Sequence, residues 1–303
     1  MSDRNPTMLR RMLALRQFPL FAGAELDELA TLADNVIETT LPAGAVVAAA
    51  GAHLPSLHCV IDGRIASANV TWGPRDVCGV LEVLARREPT ATAVAAVETR
   101  TLQLSGGELG EVLEDNFGVL LSVLRALAGR ALATAARSGR PAPRLASVGP
   151  LGLVERLIVL RRQVPFAKAR LQALATLAQA SEELTLPAGA VLTRAGAPAT
   201  RAIVVIEGAL QGRRLDGDPV VHGPGDAIGM FETLGGLRYR ETIEATAPVR
   251  ALASSGSALF DVLEDHTDVG LAMLATLAST LLGVPPSGAL ASDEACAMQG
   301  SRS

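Results

Sequence analysis

Two parts of this chain repeat one another in the same order, and that repeat limits what the chain can fold into. The run LPAGAV occupies 41–46 and returns at 186–191, and Ile61-Asp62-Gly63 returns as Ile206-Glu207-Gly208, both at an offset of 145. Gly73, Asp76 and Gly79 then match Gly223, Asp226 and Gly229 at an offset of 150, and VLED at 112–115 matches 262–265. The second copy is therefore five residues longer between its Ile-Glu-Gly turn and its Gly-Pro-x-Asp turn. Collinear matches over most of a chain mean duplicated units.

Each unit is long enough to bury a core of its own within 303 residues. Apolar residues make up 49% and charged residues 19%, a folded composition and not a disordered one. No apolar run is long enough to span a bilayer, and the start, MSDRNPTMLRRM, lacks the apolar centre of a signal peptide. Cys59, Cys78 and Cys296 are odd in number and follow no framework spacing, which predicts a reducing, cytoplasmic setting. The net charge of −4 disfavours a protein that binds DNA by neutralising phosphates.

Each copy opens on helical spacing, with Phe21, Leu26, Leu29 and Leu32 in the first and Phe166, Leu171, Leu174 and Leu177 in the second. Short apolar runs broken by Gly and Pro follow, and they predict an antiparallel sheet closed or folded on itself. Leu102-Gln103-Leu104 reads as a last strand, and Ser105 with Glu108 forms a capping box that starts a helix. The face Leu113, Phe117, Leu120, Leu124, Leu127 and Ala131 continues it, matched by Leu263, Leu271, Leu274, Leu277 and Leu281. In the second copy Ala258 replaces the glutamate of the box. The expected organisation is an N-terminal extension (1–11), a first domain (12–133), a linker (134–153), a second domain (154–283) and a disordered tail (284–303). The fold class is α+β: two tandem antiparallel β-rolls, jelly-roll-like double-stranded β-helices, each flanked by helices.

The order helix, roll, Gly-Pro-x-Asp-x-x-Gly cassette and closing helices resembles the cyclic-nucleotide-binding domain family over most of the chain. In that family a Gly-Glu-x-x-Leu-Leu segment and a following Pro-Arg-x-Ala-Thr-Val hold the ligand. Helix N–H groups and the arginine take the cyclic phosphate, and the glutamate takes the ribose. The resemblance implies a first site at Gly79, Val80, Leu81, Pro89, Thr90 and Thr92, with Val80 in the glutamate's place and Thr90 in the arginine's. It implies a second at Gly229, Met230, Phe231, Glu232, Arg238, Tyr239, Arg240 and Thr242. There Met230 stands for the glutamate and Tyr239 for the arginine, with Arg238 and Arg240 on either side. Both cassettes thus read as degenerate.

The expectation is a non-catalytic regulatory or adaptor protein with weakened or lost nucleotide binding and a protein partner. The alternative is a sensor of a cyclic nucleotide (cAMP or cGMP) or another small anion through the second domain. His53, His58, Cys59 and Cys78 do not make metal-ligand spacing, and no His-x-His pair, nucleophile elbow or P-loop occurs. No enzyme and no metal are expected. The twenty residues after Gly283 are too few for a helix-turn-helix reader of DNA, and membrane association is not expected. The helices after each roll are expected either to pack on their own roll or to form a homodimer seam.

Overall fold

A computed structural model describes residues 6–134, 149–167, 169–214 and 219–283. The linker is thus described only at its ends, and the tail expected over 284–303 lies outside the described residues. The first copy runs α1 (Pro6–Leu15), α2 (Glu28–Asn35), β1 (Ile37–Leu41), β2 (Val46–Ala48), β3 (Ser56–Asp62), β4 (Ile65–Ala66), β5 (Thr71–Trp72) and β6 (Val77–Cys78). It continues with α3 (Val80–Ala85), β7 (Ala93–Ala95), β8 (Thr99–Ser105), α4 (Gly106–Asp115) and α5 (Phe117–Thr134).

The second copy repeats this order. It has α6 (Leu153–Arg161), a 3-10 turn (Val164–Phe166), α7 (Leu171–Ala180), β9 (Glu182–Leu186), β10 (Val191–Thr193), β11 (Arg201–Glu207), β12 (Leu210–Arg213), β13 (Val220–His222) and β14 (Ala227–Ile228). It closes with α8 (Met230–Gly235), β15 (Thr242–Ala245), β16 (Val249–Ser255), α9 (Gly256–Asp265) and α10 (Thr267–Leu281). α1 crosses the boundary expected between residues 11 and 12, and it buries Met12 and Leu15.

Each roll is a pair of four-stranded antiparallel sheets, in the orders β1-β8-β3-β6 and β2-β7-β4-β5, then β9-β16-β11-β14 and β10-β15-β12-β13. Even the irregularities recur. The pairing of β3 with β8 slips between Val60 and Asp62, and that of β11 with β16 slips between Val205 and Glu207. The Ile-Asp/Glu-Gly segments end β3 and β11, and their turns are not hairpins: each carries the chain from one sheet of its roll to the other. The five extra residues fall in the hairpin between β12 and β13, where the first roll has a tight turn from Ser67 to Val70. Alternation fills each roll with small apolar side chains, such as Val60, Ile65 and Ala93 in one and Val205, Leu210 and Ile243 in the other.

The helices depart from the sequence expectation in two places. Phe21 and Leu26 precede α2, and Phe166 sits in the 3-10 turn, so these residues anchor the approach to a helix and are not on it. Leu29, Leu32, Leu174 and Leu177 do face the core. The single apolar face read after each roll is carried by two helices, broken at Asn116 and His266, where the backbone leaves the helical range (φ −128° and −137°). The Asn116 amide donates to the Val112 carbonyl, competing with the helical ladder at the break.

The closing helices pack on each other and on the opposite copy. α5 lies against α10 and against α8 of the second roll, while α10 lies against α3 of the first. Their buried faces, including Leu120, Leu124, Leu127, Met273, Leu274 and Leu277, belong to one core that spans both copies. Leu120 of α5 fills a notch at Gly270 of α10, where an added Cβ would come within 2.7 Å of Leu120. Positions 120 and 270 are equivalent in the repeat, so the seam is a knob on one copy set into a hole on the other. This face, for which the sequence left open packing on its own roll or a homodimer seam, joins the two halves of the chain. No helix among the described residues is long and apolar enough to cross a membrane.

Candidate functional site

The cassette of the second roll begins at Gly223, whose N–H donates to the Asp226 carboxylate at 2.8 Å; Gly73 and Asp76 do the same at 2.9 Å. This turn aims β14 at Gly229, which caps α8 with a left-handed backbone (φ +74°), as Gly79 caps α3 (φ +85°). A side chain at Gly229 would also meet the Tyr239 ring at 2.7 Å. Met230 and Val80, in the family's glutamate position, are both buried in the shared core. Phe231 and Leu81 pack against that core, half-buried. Six of the named residues therefore hold the cassette in place.

Two pairs of hydrogen bonds fix how the cassettes correspond. Gly51 donates to the Pro89 carbonyl at 2.9 Å, and Gly196 donates to the Tyr239 carbonyl at 2.8 Å. The N–H of Ala50 donates to the Thr92 hydroxyl at 3.2 Å, and that of Ala195 to the Thr242 hydroxyl at 3.1 Å. Tyr239 is thus the counterpart of Pro89, and Arg240, not Tyr239, is the counterpart of Thr90. This corrects the alignment read from sequence by one residue. Without a proline before the arginine, only the register of the loop against the strand could set the frame.

The side chains then separate by role. Arg238, exposed, donates to the Gly196 carbonyl at 2.6 Å and holds the loop. The Tyr239 hydroxyl donates to the Arg201 carbonyl at 3.1 Å. Arg240 is exposed and has no hydrogen bond or ion pair with the described residues. Its charge bears on Glu232 of α8. Burial pushes the Glu232 carboxyl above its ordinary range and Glu241 adds to this, while its own backbone N–H, Arg240 and Arg214 oppose the shift.

Sequence reasoning missed three residues beside this site. Glu241 follows Arg240 directly before β15, at the same parity as the buried Ile243 and Ala245, and the residue is only 8% exposed. It accepts from His222 Nε2 at 3.0 Å and from Arg214 Nε at 2.6 Å. The hydrogen bond from His222 holds its carboxyl below the usual range against the pull of burial, and Arg214 adds to the effect. Gly212 makes the space, since a Cβ there would stand 2.1 Å from a Glu241 oxygen. The signal was the parity of Glu241, a charge in step with the buried positions of the strand that follows it; its partners follow only from the closed roll.

In the first roll the corresponding place is apolar, with Ala91 and Trp72 opposite Glu241 and His222. His58 on β3 pairs instead with the Thr101 hydroxyl, at 3.1 Å, and burial pushes its pKa down to about 4. Burial pushes the Cys59 thiol up to about 12, and the Cys78 thiol likewise with help from Glu82.

A family model described as the cyclic nucleotide-binding domain matches residues 183–266, which run from β9 to the end of α9. The second roll is a cyclic-nucleotide-binding-like domain. The first repeats its strand order and cassette, so the chain is a tandem of cyclic-nucleotide-binding-like rolls. A search of curated proteins gave no match. Among solved structures the chain is similar to the regulatory subunit of a cAMP-independent protein kinase A from Trypanosoma brucei, at 16% identity, covering 89% of this chain and 92% of that one, with a TM-score of 0.36. The regulatory domain of Toxoplasma gondii PKA with cAMP is similar at 14% identity over 92% of this chain and 98% of that one, TM-score 0.36. The N-terminal domain of a transcriptional regulator from Streptomyces coelicolor is similar at 31% identity over 41% of this chain and 91% of its own, TM-score 0.38.

Proposed function

We propose that this chain is a non-catalytic, cytoplasmic regulatory protein in which the first cassette has lost nucleotide binding and the second keeps a weakened site for a small anionic effector such as a cyclic nucleotide. Arg240 carries the reading. It is an exposed guanidinium, unpaired among the described residues, at the place where the cyclic-nucleotide-binding family keeps its phosphate-binding arginine. Thr90 in the first roll supplies no such charge. A charge-assisted hydrogen bond contributes about 1.5–3 kcal/mol, so its loss weakens binding by roughly one to two decades. Met230, buried in place of a ribose acceptor, removes another contact, which fits weakening and not full retention. Occupancy would be felt through α8, on which α5 of the other copy rests. A protein partner is the natural recipient of that signal.

A second reading, an adaptor that binds only protein, is favoured by Val80 and Met230, which have turned both glutamate positions into core. Calorimetric titration of the full chain with cAMP, cGMP and cyclic dinucleotides separates the two. The effector reading expects a Kd of about 10 μM or tighter for one of them, at least tenfold weaker after Arg240→Ala. Arg238→Ala should leave that Kd unchanged, because Arg238 is engaged with Gly196. Absence of binding by all of them would return the chain to the adaptor reading.

A further inference from the structure

The Glu241–Arg214–His222 cluster exists in one roll only, and the fold does not require it. Ala91 and Trp72 stand at the equivalent positions in the first roll, which closes without a charge there. Arg214 is delivered by the hairpin that is five residues longer than its counterpart. Gly212 in β12 makes room for the carboxylate, although glycine weakens a strand. Placing charges inside a roll rarely adds stability over apolar packing. Three separate features, an insertion, a glycine and an inward glutamate, thus converge on one partly buried cluster that the sister roll lacks.

We propose that Arg214 and His222 form a second anion-binding pair inside the second roll, and that Glu241 occupies it until a phosphate-bearing effector takes its place. This rests on the reading of that roll as an effector site. Both Glu241 oxygens are engaged, one by each partner. A carboxylate only accepts, so His222 Nε2 donates, and a phosphate oxygen could take the same two donors. Arg214 has no further partner among the described residues, and its side chain is 35% exposed, against 10% for Glu241. An arriving anion therefore meets the guanidinium before it meets the glutamate. The charges of Arg214 and Arg240 both bear on Glu232. Glu241 then acts as an internal competitor that sets how much effector is needed.

The test is titration of the full chain with cAMP and with inorganic phosphate. Glu241→Gln keeps the shape and removes the competing charge, and it should bind at least about tenfold tighter than the wild type. Adding Arg214→Ala to that variant should abolish the gain. If the gain survives loss of Arg214, or never appears while Arg240→Ala still weakens the wild type, the inference falls and the effector reading stands. If neither wild type nor Glu241→Gln binds either probe, the inference falls, and cGMP and the cyclic dinucleotides then decide the effector reading. Should Glu241→Gln not fold, Arg214→Gln alone serves: it is expected to weaken binding at least about fivefold, and unchanged affinity overturns the inference.

Discussion

His58 and Ile203 hold the same place on β3 and β11, and Thr101 and Ala251 hold the same place on β8 and β16. One roll therefore buries a hydrogen-bonded histidine–threonine pair where the other buries hydrocarbon. With a pKa of about 4 in place of 6.5, His58 binds its proton more readily in the unfolded chain. Its neutral form is accommodated fully above pH 6.5, and stability is lost as the pH falls toward 4. The loss over that window is about 3 kcal/mol, at 1.36 kcal/mol per unit. His58→Ile with Thr101→Ala, copying the second roll, should flatten this part of the stability–pH curve in urea titrations; an unchanged slope would assign the acid sensitivity to other groups. Arg240 and Glu241 make the same point about side chains: neighbours in the bend that leads into β15, one is exposed and the other buried, and that decides which is available and which is spent.

Among the elements, the start of α4 is specified most locally. Ser105 accepts from the Glu108 N–H at 3.1 Å, and Glu108 accepts from the Ser105 N–H at 3.2 Å. α9 keeps only the first half, from Ala258 N–H to Ser255. Ser105→Ala should cost about 1 kcal/mol, read as a lower urea midpoint with unchanged slope. Features of this kind were legible in the sequence, because repeated turns, alternation and capping act within a few residues. The doubled roll and the longer loop or hairpin in its second copy could be read from the repeat, whereas the strand order pairs distant segments and needed the structure. The breaks at Asn116 and His266 could not, since the apolar spacing runs through both and only packing shows where the axis turns. The frame of the second cassette was legible to within one residue, because Gly196 against Tyr239 is a tertiary contact. The partners of Glu241 come from β13 and from the hairpin before it, and only the closed roll brings them together.

At the scale of the molecule, the shared helical core ties the two rolls into one cooperative body. Gly270→Leu would drive a second leucine into Leu120 at the seam. Overpacking of this kind costs about 1–3 kcal/mol, and calorimetry should show a lower Tm or a transition split into two. An unchanged single transition would mean that the seam does not couple the copies. The unlike pair Leu120 and Gly270 has a consequence for inheritance as well as for fit. Two identical halves meeting across an axis must carry the same residue at the crossing, so any change there is made twice. In a single polypeptide that constraint does not apply. Each half can differ alone, so that one roll holds a charged cluster where the other holds hydrocarbon, and dilution cannot part them.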